Sequence, residues 1–330
     1  MQDRVLTLRV AHIERQTEEV SAFDLVHPDG RALPAYAAGA HVDVHLPGGF
    51  LRTYSLASAP PGEGPPLHYR IGVKREAQGR GGSAALHDRV RAGDLLAVGS
   101  PRNRFALHGG AGHHLLLAGG IGLTPLLAMA QQLAAERADF TLCVFARRRA
   151  LLPFAAELQA LGPAVRLHLD DPAEPHKLRL PALLARRAPG THLYLCGPAG
   201  FMQAAREAAQ QADDPWPEEA VHTEHFAPPS DAAGTPGGAG ASADEPFVLR
   251  LVRRGLKVPV AADQSAVEAL HALGIDVPTS CAQGVCGTCV VPWSAGEPDH
   301  RDHCLSPTER RTRVALCCSR AVAAGLAVDL

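Results

Sequence analysis

Three cysteines in one short loop constrain the fold of this chain more than any other feature. Cys281, Cys286 and Cys289 are separated by four residues and then by two, and Cys317 and Cys318 follow further along the chain. Plant-type ferredoxin domains use this spacing, in which four thiolates hold the two irons of a [2Fe-2S] cluster. The sequence therefore predicts a cluster-binding module around this loop.

Two other uses of clustered cysteines fit the sequence less well. Disulfide frameworks are typical of small secreted chains, whereas this chain has 8 cysteines in 330 residues and opens with Met-Gln-Asp-Arg rather than a signal peptide. Four thiolates also suit zinc, but zinc ribbons usually pair two Cys-x2-Cys knuckles, and the sequence has one. Zinc stays open as the alternative at this point.

Composition divides the chain. Residues 227–245 are rich in Gly, Pro, Ala and Ser with nothing to bury, so we expect a flexible linker before a cysteine module at 246–330. The formal net charge of −2 indicates neither nucleic acid nor an anionic membrane as a partner. Glycines and a proline break the longest apolar run, 115–129, so we expect a soluble, cytoplasmic protein.

Residues 1–109 contain short β-like runs that are separated by Pro- and Gly-rich turns. Many short strands of this kind indicate an antiparallel barrel or sandwich, here with a short helix near 83–90. The predicted strands are Val5–Ile13, Ala22–His27, His41–Leu46, Arg52–Leu56, Leu67–Lys74 and Leu95–Gly99.

Two stretches of this region suit a flavin. Strand alternation places Arg52 and Tyr54 on one side and Thr53 and Ser55 on the other. A flavin that runs along the strand would meet Tyr54 at its ring, Arg52 at its phosphate and Ser55 at N5. The glycine-rich stretch 79–83 leads into the predicted helix and could bind an anion there. Each stretch taken alone is equally compatible with core packing or a simple turn.

Residues 110–226 alternate strand and helix, which predicts a Rossmann-like α/β domain. The predicted strands are His114–Ala118, Phe140–Ala146, Val165–Leu169 and His192–Cys196. The predicted helices are Leu126–Glu136, Pro153–Leu161, Pro181–Arg187 and Ala199–Ala212.

The loop 119–125 follows the first of these strands, at the edge where nucleotide phosphates bind in doubly wound sheets. Thr124 suits the N-cap and Pro125 the first position of the following helix. Cys196 ends another strand at the same edge. Its thiol either packs in the core or approaches a nicotinamide ring.

Over essentially its full length the chain resembles the phthalate dioxygenase reductase family, through the order of its motifs. The motifs on which the resemblance rests are Arg52-Thr53-Tyr54-Ser55, Gly79-Arg80-Gly81-Gly82-Ser83, Pro101-Arg102-Asn103-Arg104-Phe105, Gly119 to Pro125, Cys196-Gly197-Pro198, Glu224-His225-Phe226 and the cysteine loop. The resemblance implies an FMN-binding antiparallel β-barrel at 1–109, an NAD-binding Rossmann-like α/β domain at 110–226 and a β-grasp ferredoxin domain at 246–330.

The resemblance also implies the site residues. The flavin-binding set is Arg52, Thr53, Tyr54, Ser55, Gly79, Gly81, Gly82 and Ser83, with the last three at the phosphate. The nucleotide-binding set is Gly120, Thr124, Cys196, Gly197 and Pro198. Ser55, Cys196 and Phe226 are the implied catalytic residues, with Phe226 near the flavin ring. The implied cluster ligands are Cys281, Cys286, Cys289 and Cys317.

The implied function is electron transfer from NADH through FMN and a [2Fe-2S] cluster, one electron at a time, to a terminal oxygenase. A Rieske-type aromatic-ring dioxygenase or O-demethylase is the favoured partner, and we expect a monomer. One alternative is a reductase that serves a diiron or haem monooxygenase. The other, from outside catalysis, is a redox-sensing or zinc-stabilised nucleotide-binding protein.

Two positions depart from the family pattern. Arg148 stands where relatives commonly have a small polar residue, so it could accept the 2′-phosphate of NADPH. The doublet of Cys317 and Cys318 leaves open which thiol completes the cluster, although the Cys-x-Ser-Arg-Ala ending of the family aligns with Cys317.

Three further expectations concern side chains of the module and a strand. Ser265 and Glu268 form a capping box that opens a helix. Cys304 and Cys143 are expected to pack internally. His300 and His303 are expected to lie at the surface or to contact a partner.

Overall fold

The computed structural model describes residues 5–171, 178–226, 244–323 and 325–330. The chain forms two compact units, the first ending at Glu224 and the second beginning at His225. The predicted linker lies outside the described residues except for its last two positions, and the predicted domain limits stay predictions. Among the helices in the described ranges, none is long and apolar enough to cross a membrane.

The first sheet is a near-closed antiparallel barrel, as predicted. Its strands are β1 (Val5–Arg15), β2 (Val20–Val26), β3 (Ala40–Leu46), β4 (Phe50–Ser55), β5 (His68–Lys74), β6 (Leu95–Gly99) and β7 (Arg102–Asn103). They lie in the order β4-β3-β6-β1-β2-β5, and β7 pairs with β3. A bridge between Leu56 and Ile71 brings the end of β4 to β5. Helix α1 (Gly82–Arg89) follows β5.

The barrel forms because apolar side chains recur at every second position and meet inside it. Val42, Val44 and Leu46 of β3 are buried, as are Leu8 and Val10 of β1. The predicted strands of this region agree with the observed ones to within two residues at each end. Strand β7 was missed because two residues carry no periodic pattern.

The second sheet, in the same unit, is wholly parallel. Its strands are β8 (His113–Gly119), β9 (Phe140–Ala146), β10 (Val165–Leu169), β11 (Thr191–Cys196) and β12 (Val221–Glu224). The helices are α2 (Leu123–Ala135), α3 (Ala155–Ala160), α4 (Leu180–Leu184) and α5 (Ala199–Gln210). The strand order is β10-β9-β8-β11-β12, which confirms the predicted Rossmann-like arrangement.

The strand order reverses direction between β8 and β11, and such switch points are where open α/β sheets bind ligands. Cys196 at the end of β11 pairs with Ala118 near the end of β8. The loops that follow these two strands are therefore neighbours. Strand β12 was not predicted, because its four residues, Val-His-Thr-Glu, show neither alternation nor a continuous apolar run.

The predicted start of helix α2 is wrong. The helix begins at Leu123, and Gly122 rather than Thr124 holds the cap position. Thr124 lies within the first turn, where its hydroxyl donates to the carbonyl of Ile121 at 3.1 Å. The helical path starts early because a short 3-10 turn over Gly120–Gly122 already precedes it.

The second unit contains a mixed five-stranded sheet. Its strands and those of a small two-stranded sheet are β13 (Phe247–Leu251), β14 (Leu256–Val260), β15 (Val290–Ala295), β16 (Pro298–Asp299), β17 (Arg313–Ala315), β18 (Arg320–Ala321) and β19 (Gly325–Val328). The helices are α6 (Ala266–Ala272) and α7 (Pro307–Arg310). The main sheet has the order β14-β13-β19-β15-β17, and β16 pairs with β18. Within it only β13 and β19 are parallel.

Helix α6 begins as predicted. The Ser265 side chain accepts from the N–H of Glu268, and the Glu268 carboxylate accepts from the N–H of Ser265, which confirms the capping box. Val267 and Leu270 of the helix share a buried core with Leu249 of β13. A helix packed on a mixed sheet in this way is the β-grasp arrangement expected of the module.

Candidate functional site

Arg52 lies across the start of helix α1. Its Nη2 donates to the carbonyl of Arg80 at 3.0 Å, and a Cβ added at Gly82 would lie 2.6 Å from its Nε. Gly81 has a φ of +81°, and a Cβ there would approach the Phe50 ring to 3.0 Å. Burial, with Arg80 nearby, lowers the pKa of Arg52. The guanidinium and the two glycines thus form a tight basic corner that fits a phosphate.

The remaining residues of the glycine-rich stretch fold the loop back on itself. The N–H of Gly79 donates to the carbonyl of Glu76 at 3.3 Å. The Ser83 hydroxyl accepts from the N–H of Glu76 at 3.1 Å. Both therefore shape the loop beside the basic corner, and their direct contact with a phosphate stays a prediction.

Tyr54 and Thr53 point to opposite sides of β4, as alternation predicts. Tyr54 packs against the barrel core, and its buried hydroxyl has no hydrogen-bond partner among the described residues. A buried hydroxyl without a partner is costly, so this atom fits a site completed by a ligand such as a flavin. The Thr53 hydroxyl donates to Asp43 at 2.6 Å, and Asp43 pairs with Arg102 of β7.

Ser55 contacts a residue to which the sequence analysis assigned no role. Its hydroxyl donates to Oε2 of Glu224 at 2.9 Å, and Oε1 of Glu224 lies 3.9 Å from Nδ1 of His41. The Glu224 side chain is 14% exposed. Burial raises its pKa to about 7, and the hydrogen bond from Ser55 opposes that shift. Glu224 was visible as part of the Glu224-His225-Phe226 motif, but β12, which places it here, was not predicted.

Cys196 lies on the other side of Glu224. The two residues pair in register on β11 and β12. Cys196 is completely buried, and burial together with the charge of Glu224 raises the pKa of its thiol well above its usual value. Residues from three strands, Ser55 of β4, Cys196 of β11 and Glu224 of β12, therefore meet in one buried cluster.

Glycines let the loops after β8 and β11 touch. A Cβ at Gly122 would lie 2.3 Å from the carbonyl oxygen of Cys196, and one at Gly197 would lie 3.0 Å from Cα of Gly119. Gly120 differs, because its φ is +55° and, apart from its chain neighbours, no atom of the described residues lies within 4 Å of its Cβ position. The open side of this edge is therefore at Gly120, where a nucleotide has room.

The other predicted nucleotide and flavin contacts lie in different surroundings. Pro198 holds the cap position of α5 at the same sheet edge. Thr124 is 1% exposed and its hydroxyl is engaged by Ile121, so it supports the loop from beneath. Phe226 is 43% exposed and belongs to the second compact unit. Its position relative to a flavin stays a prediction.

The four predicted cluster ligands lie together in the second unit. Thiol contacts join Cys281 to Cys286 and Cys317, and join Cys289 to Cys317. The contacts from Cys286 and Cys317 lower the pKa of the Cys281 thiol. Its sulfur accepts from the N–H of Gln283 at 3.3 Å. Four gathered thiols with nearby N–H donors fit a [2Fe-2S] cluster.

In the described ranges, no group of three or more His, Cys, Asp or Glu side chains is arranged to hold a single ion. A [2Fe-2S] cluster requires a different arrangement, because its four thiolates are shared between two irons. The observation that supports such a cluster is the series of contacts among the four thiols.

Cys318 has other surroundings than Cys317. Its Sγ lies 2.6 Å from the position that a Cβ on Gly284 would occupy, and 3.9 Å from the carbonyl of Ala315. Cys318 also contacts the Cys317 thiol. Contacts with Cys281, Cys289 and Cys318, in decreasing order of effect, raise the pKa of Cys317. Among the contacts of the described residues, Cys317 meets two other predicted ligands, Cys281 and Cys289.

The remaining thiols and histidines give mixed outcomes. Cys143 is completely buried, which confirms its core position, and Cys304 is half-buried with its Sγ 3.9 Å from Asp302. His300 was expected at the surface or against a partner. The surface position is wrong, because its side chain is only 15% exposed and contacts Asp302 at 3.3 Å, and a partner contact stays a prediction. His303 packs against His225, with ring centroids 5.9 Å apart.

Two family models match the chain. Residues 250–322 match the 2Fe-2S iron-sulfur cluster binding domain. Residues 100–217 match the N-terminal domain of the dimethylamine monooxygenase subunit DmmA-like family. The first match covers the cysteine loop and its sheet, which confirms the iron–sulfur module and argues against zinc.

Two relatives and two structures match over nearly all of the chain. The vanillate O-demethylase oxidoreductase of Pseudomonas sp. (strain HR199 / DSM 7063) is 42% identical over 317 residues, covering 95% of this chain and 96% of that protein. The phthalate dioxygenase reductase of Burkholderia cepacia is 36% identical over 332 residues, covering 100% and 98%. A solved phthalate dioxygenase reductase superposes with a TM-score of 0.70 at 36% identity, over 99% of this chain and 98% of that one.

An intact type IV self-sufficient cytochrome P450 monooxygenase also contains this fold, with a TM-score of 0.87 and 35% identity over 99% of this chain. This chain spans only 41% of that longer protein. The barrel, the Rossmann-like sheet and the cysteine module are therefore covered together by both structural matches. The chain belongs to the phthalate dioxygenase reductase family, whose members are NADH-dependent flavin and iron–sulfur oxidoreductases with FMN and a [2Fe-2S] cluster and donate electrons to an oxygenase.

Proposed function

We propose that this chain is the reductase of a two-component system whose oxygenase is a Rieske-type aromatic-ring dioxygenase or O-demethylase. The observation that best supports this proposal is the match, over 95% and 100% of this chain, to reductases named for vanillate O-demethylation and phthalate dioxygenation. Both names concern aromatic acids, so an aromatic acid is the proposed substrate class of the partner. The proposal places the protein in the cytoplasm, where NADH is supplied.

In the first unit we assign roles by contact. Arg52, Gly81 and Gly82 would hold the FMN phosphate at the start of α1, and Tyr54 would lie against the ring. FMN held there would supply a carrier that can accept two electrons together and pass them on one at a time. Ser55 would orient the reacting edge, since its hydroxyl is held by Glu224 at 2.9 Å. Glu224 can hold a proton near neutral pH because burial raises its pKa to about 7.

The nucleotide would bind at the switch point. Its pyrophosphate would lie at Gly120, whose Cβ position is open, and its nicotinamide would approach Cys196. Because Cys196 has no exposed surface, neighbouring atoms have to move before a ring can reach it. This assignment uses NADH, and Arg148, which lies two residues after β9 and is 64% exposed, would allow weaker use of NADPH.

In the second unit we assign Cys281, Cys286, Cys289 and Cys317 as the ligands. The choice of Cys317 is supported by its contacts with Cys281 and Cys289. Cys318 would pack behind the loop against Gly284. The glycine at 284 is required at this contact, since its φ is +71°.

A second candidate partner is a haem monooxygenase. It is supported by the full coverage of this chain within a self-sufficient cytochrome P450 at a TM-score of 0.87. In that case the same relay would end at a haem rather than at a Rieske centre. The residues assigned above would keep their roles, so only the partner distinguishes the two proposals.

Stopped-flow mixing decides between the partners. NADH-reduced protein is mixed anaerobically with the oxygenase component of a vanillate O-demethylase or with a ferric cytochrome P450, and the absorbance of each acceptor is followed. We expect reduction of the Rieske centre to be at least tenfold faster, roughly 1.4 kcal/mol in barrier. Faster reduction of the P450 would overturn the Rieske proposal. A cluster-free Cys289→Ser variant controls for direct reduction by the flavin.

A further inference from the structure

A buried carboxylate lies against the cysteine loop. The Asp302 side chain, in the segment between β16 and α7, has no exposed surface. Its Oδ2 accepts from the N–H of Leu305 at 2.9 Å, and its Oδ1 lies 3.3 Å from Nδ1 of His300. The Arg310 guanidinium lies 3.7 Å from Oδ2 and also donates to the Asp302 carbonyl. These contacts hold the carboxylate in one position, with a cation beside it.

Asp302 is packed directly onto the loop that carries the first two predicted ligands. Gly284 lies between Cys281 and Cys286, and a Cβ on it would approach Cα of Asp302 to 3.0 Å. The N–H of His303 donates to the carbonyl of Gly284 at 2.9 Å. The backbone at 302 and 303 thus supports the loop from behind.

A fixed charge in this position acts on the cluster through space. Taking up an electron makes the cluster more negative, so a neighbouring carboxylate disfavours reduction and a neighbouring cation favours it. Such effects are strong where water is excluded, and Asp302 is fully buried. The Arg310 side chain is 38% exposed, so solvent screens its charge more.

We propose that the Asp302–Arg310 pair sets the reduction potential of the cluster, with Asp302 lowering it and Arg310 raising it. Both are positioning residues, because neither is a ligand. The pair would therefore decide how readily the cluster accepts electrons from the flavin and passes them on. This goes beyond the proposed function and rests only on the presence of the cluster.

The test uses two substitutions in the full-length protein, one that removes a negative charge and one that removes a positive charge. Asp302→Asn keeps the shape and removes the negative charge, and Arg310→Met keeps the length and removes the positive charge. Arg311→Met is the matched control, since Arg311 is the exposed neighbour of Arg310. The midpoint potentials of cluster and flavin are measured in one anaerobic redox titration, with EPR for the reduced cluster and absorbance for the flavin.

We expect Asp302→Asn to raise the cluster potential and Arg310→Met to lower it by a smaller amount. For Asp302→Asn the expected change in the flavin–cluster electron-exchange constant is about tenfold, equivalent to about 59 mV. Arg311→Met and the flavin potential should stay unchanged.

Shifts in the same direction, or an unshifted cluster potential in both variants, would overturn the proposal. If Asp302→Asn fails to retain its cluster, the sign of the Arg310→Met shift decides alone. A protein that shows the cluster signal but no shifts refutes only this inference. A protein without any reduced-cluster signal would instead refute the relay.

Discussion

The cysteine loop and the buried group of Ser55, Cys196 and Glu224 are assembled in opposite ways. Three of the four predicted cluster ligands lie within one loop, and only Cys317 comes from elsewhere. Ser55, Cys196 and Glu224 instead come from strands β4, β11 and β12, far apart in sequence. A local site can be recognised from the spacing of its residues in the sequence, whereas a site assembled from several strands depends on which strands pair. The two should therefore also fail differently when residues are changed.

The largest expected effect is at the local site. Cys289→Ser should remove the reduced-cluster EPR signal and take NADH-dependent reduction of cytochrome c to background, because a [2Fe-2S] cluster needs all four thiolates. Reduction of ferricyanide by the flavin should persist. Cys317→Ser should behave like Cys289→Ser, and Cys318→Ser should keep the signal. A cluster retained in Cys317→Ser but lost in Cys318→Ser would reverse the ligand assignment.

The next effect concerns the loops that meet at the switch point. Gly122→Ala places a Cβ 2.3 Å from the carbonyl oxygen of Cys196, so both loops have to move. Overpacking of this kind typically costs about 1–3 kcal/mol, and we expect the Kd of NADH to rise about tenfold or more. Titration of NADH against the flavin absorbance measures it. Gly200→Ala is the control, since no tertiary neighbour among the described residues lies within 4 Å of its Cβ position. Equal Kd values for the two variants would contradict the assignment.

A smaller effect tests the buried acid. Since burial raises the pKa of Glu224 to about 7 from 4.5, the folded protein keeps a proton that the unfolded chain has released. Stability should therefore fall as pH rises between these values and level off above them, by roughly 3 kcal/mol. Glu224→Gln should remove this component.

Urea unfolding at pH 5 and pH 8 measures the difference. The wild type should lose more stability between the two pH values than Glu224→Gln does. Glu218→Gln, an exposed position nearby, should titrate like the wild type. The same pH dependence in all three proteins would mean that Glu224 is ionised throughout.

The smallest effect is expected at Arg148. Its side chain is 64% exposed and lies 3.9 Å from Glu18, so any contact with a 2′-phosphate is screened by solvent. An exposed ion pair contributes up to about 1 kcal/mol, so Arg148→Ser should lower kcat/KM for NADPH about fivefold and leave NADH unchanged. Arg206→Ser, an exposed arginine on α5, serves as the control. An equal loss with both nucleotides would exclude recognition of the 2′-phosphate.

The sequence predicted the features that are periodic or locally spaced. The barrel strands, the alternation at Tyr54 and Thr53, the capping box at Ser265 and the gathering of the four thiols were predicted correctly. Each depends on residues close in sequence or on a regular repeat. The spacing within the loop was enough for Cys281, Cys286 and Cys289, whereas Cys317 was selected through the family pattern.

What the sequence did not predict depends on tertiary contact. The role of Glu224 required the short strand β12 to lie beside β11, and four mixed residues give no strand signal. The early start of α2 continues the 3-10 turn over Gly120–Gly122, which no propensity at Thr124 could indicate. The burial of His300 was not predicted, because it follows from contacts with Asp302 and Arg310, two residues with no pattern of their own.

Anaerobic titration with NADH tests the central claim most directly. The account predicts that the flavin absorbance and the iron–sulfur absorbance both bleach, and that the reduced-cluster EPR signal grows with added NADH. In Cys289→Ser only the flavin should bleach. A wild-type protein whose flavin is reduced while its cluster stays oxidised, with no EPR signal at excess NADH, would contradict the relay from the first unit to the cysteine loop.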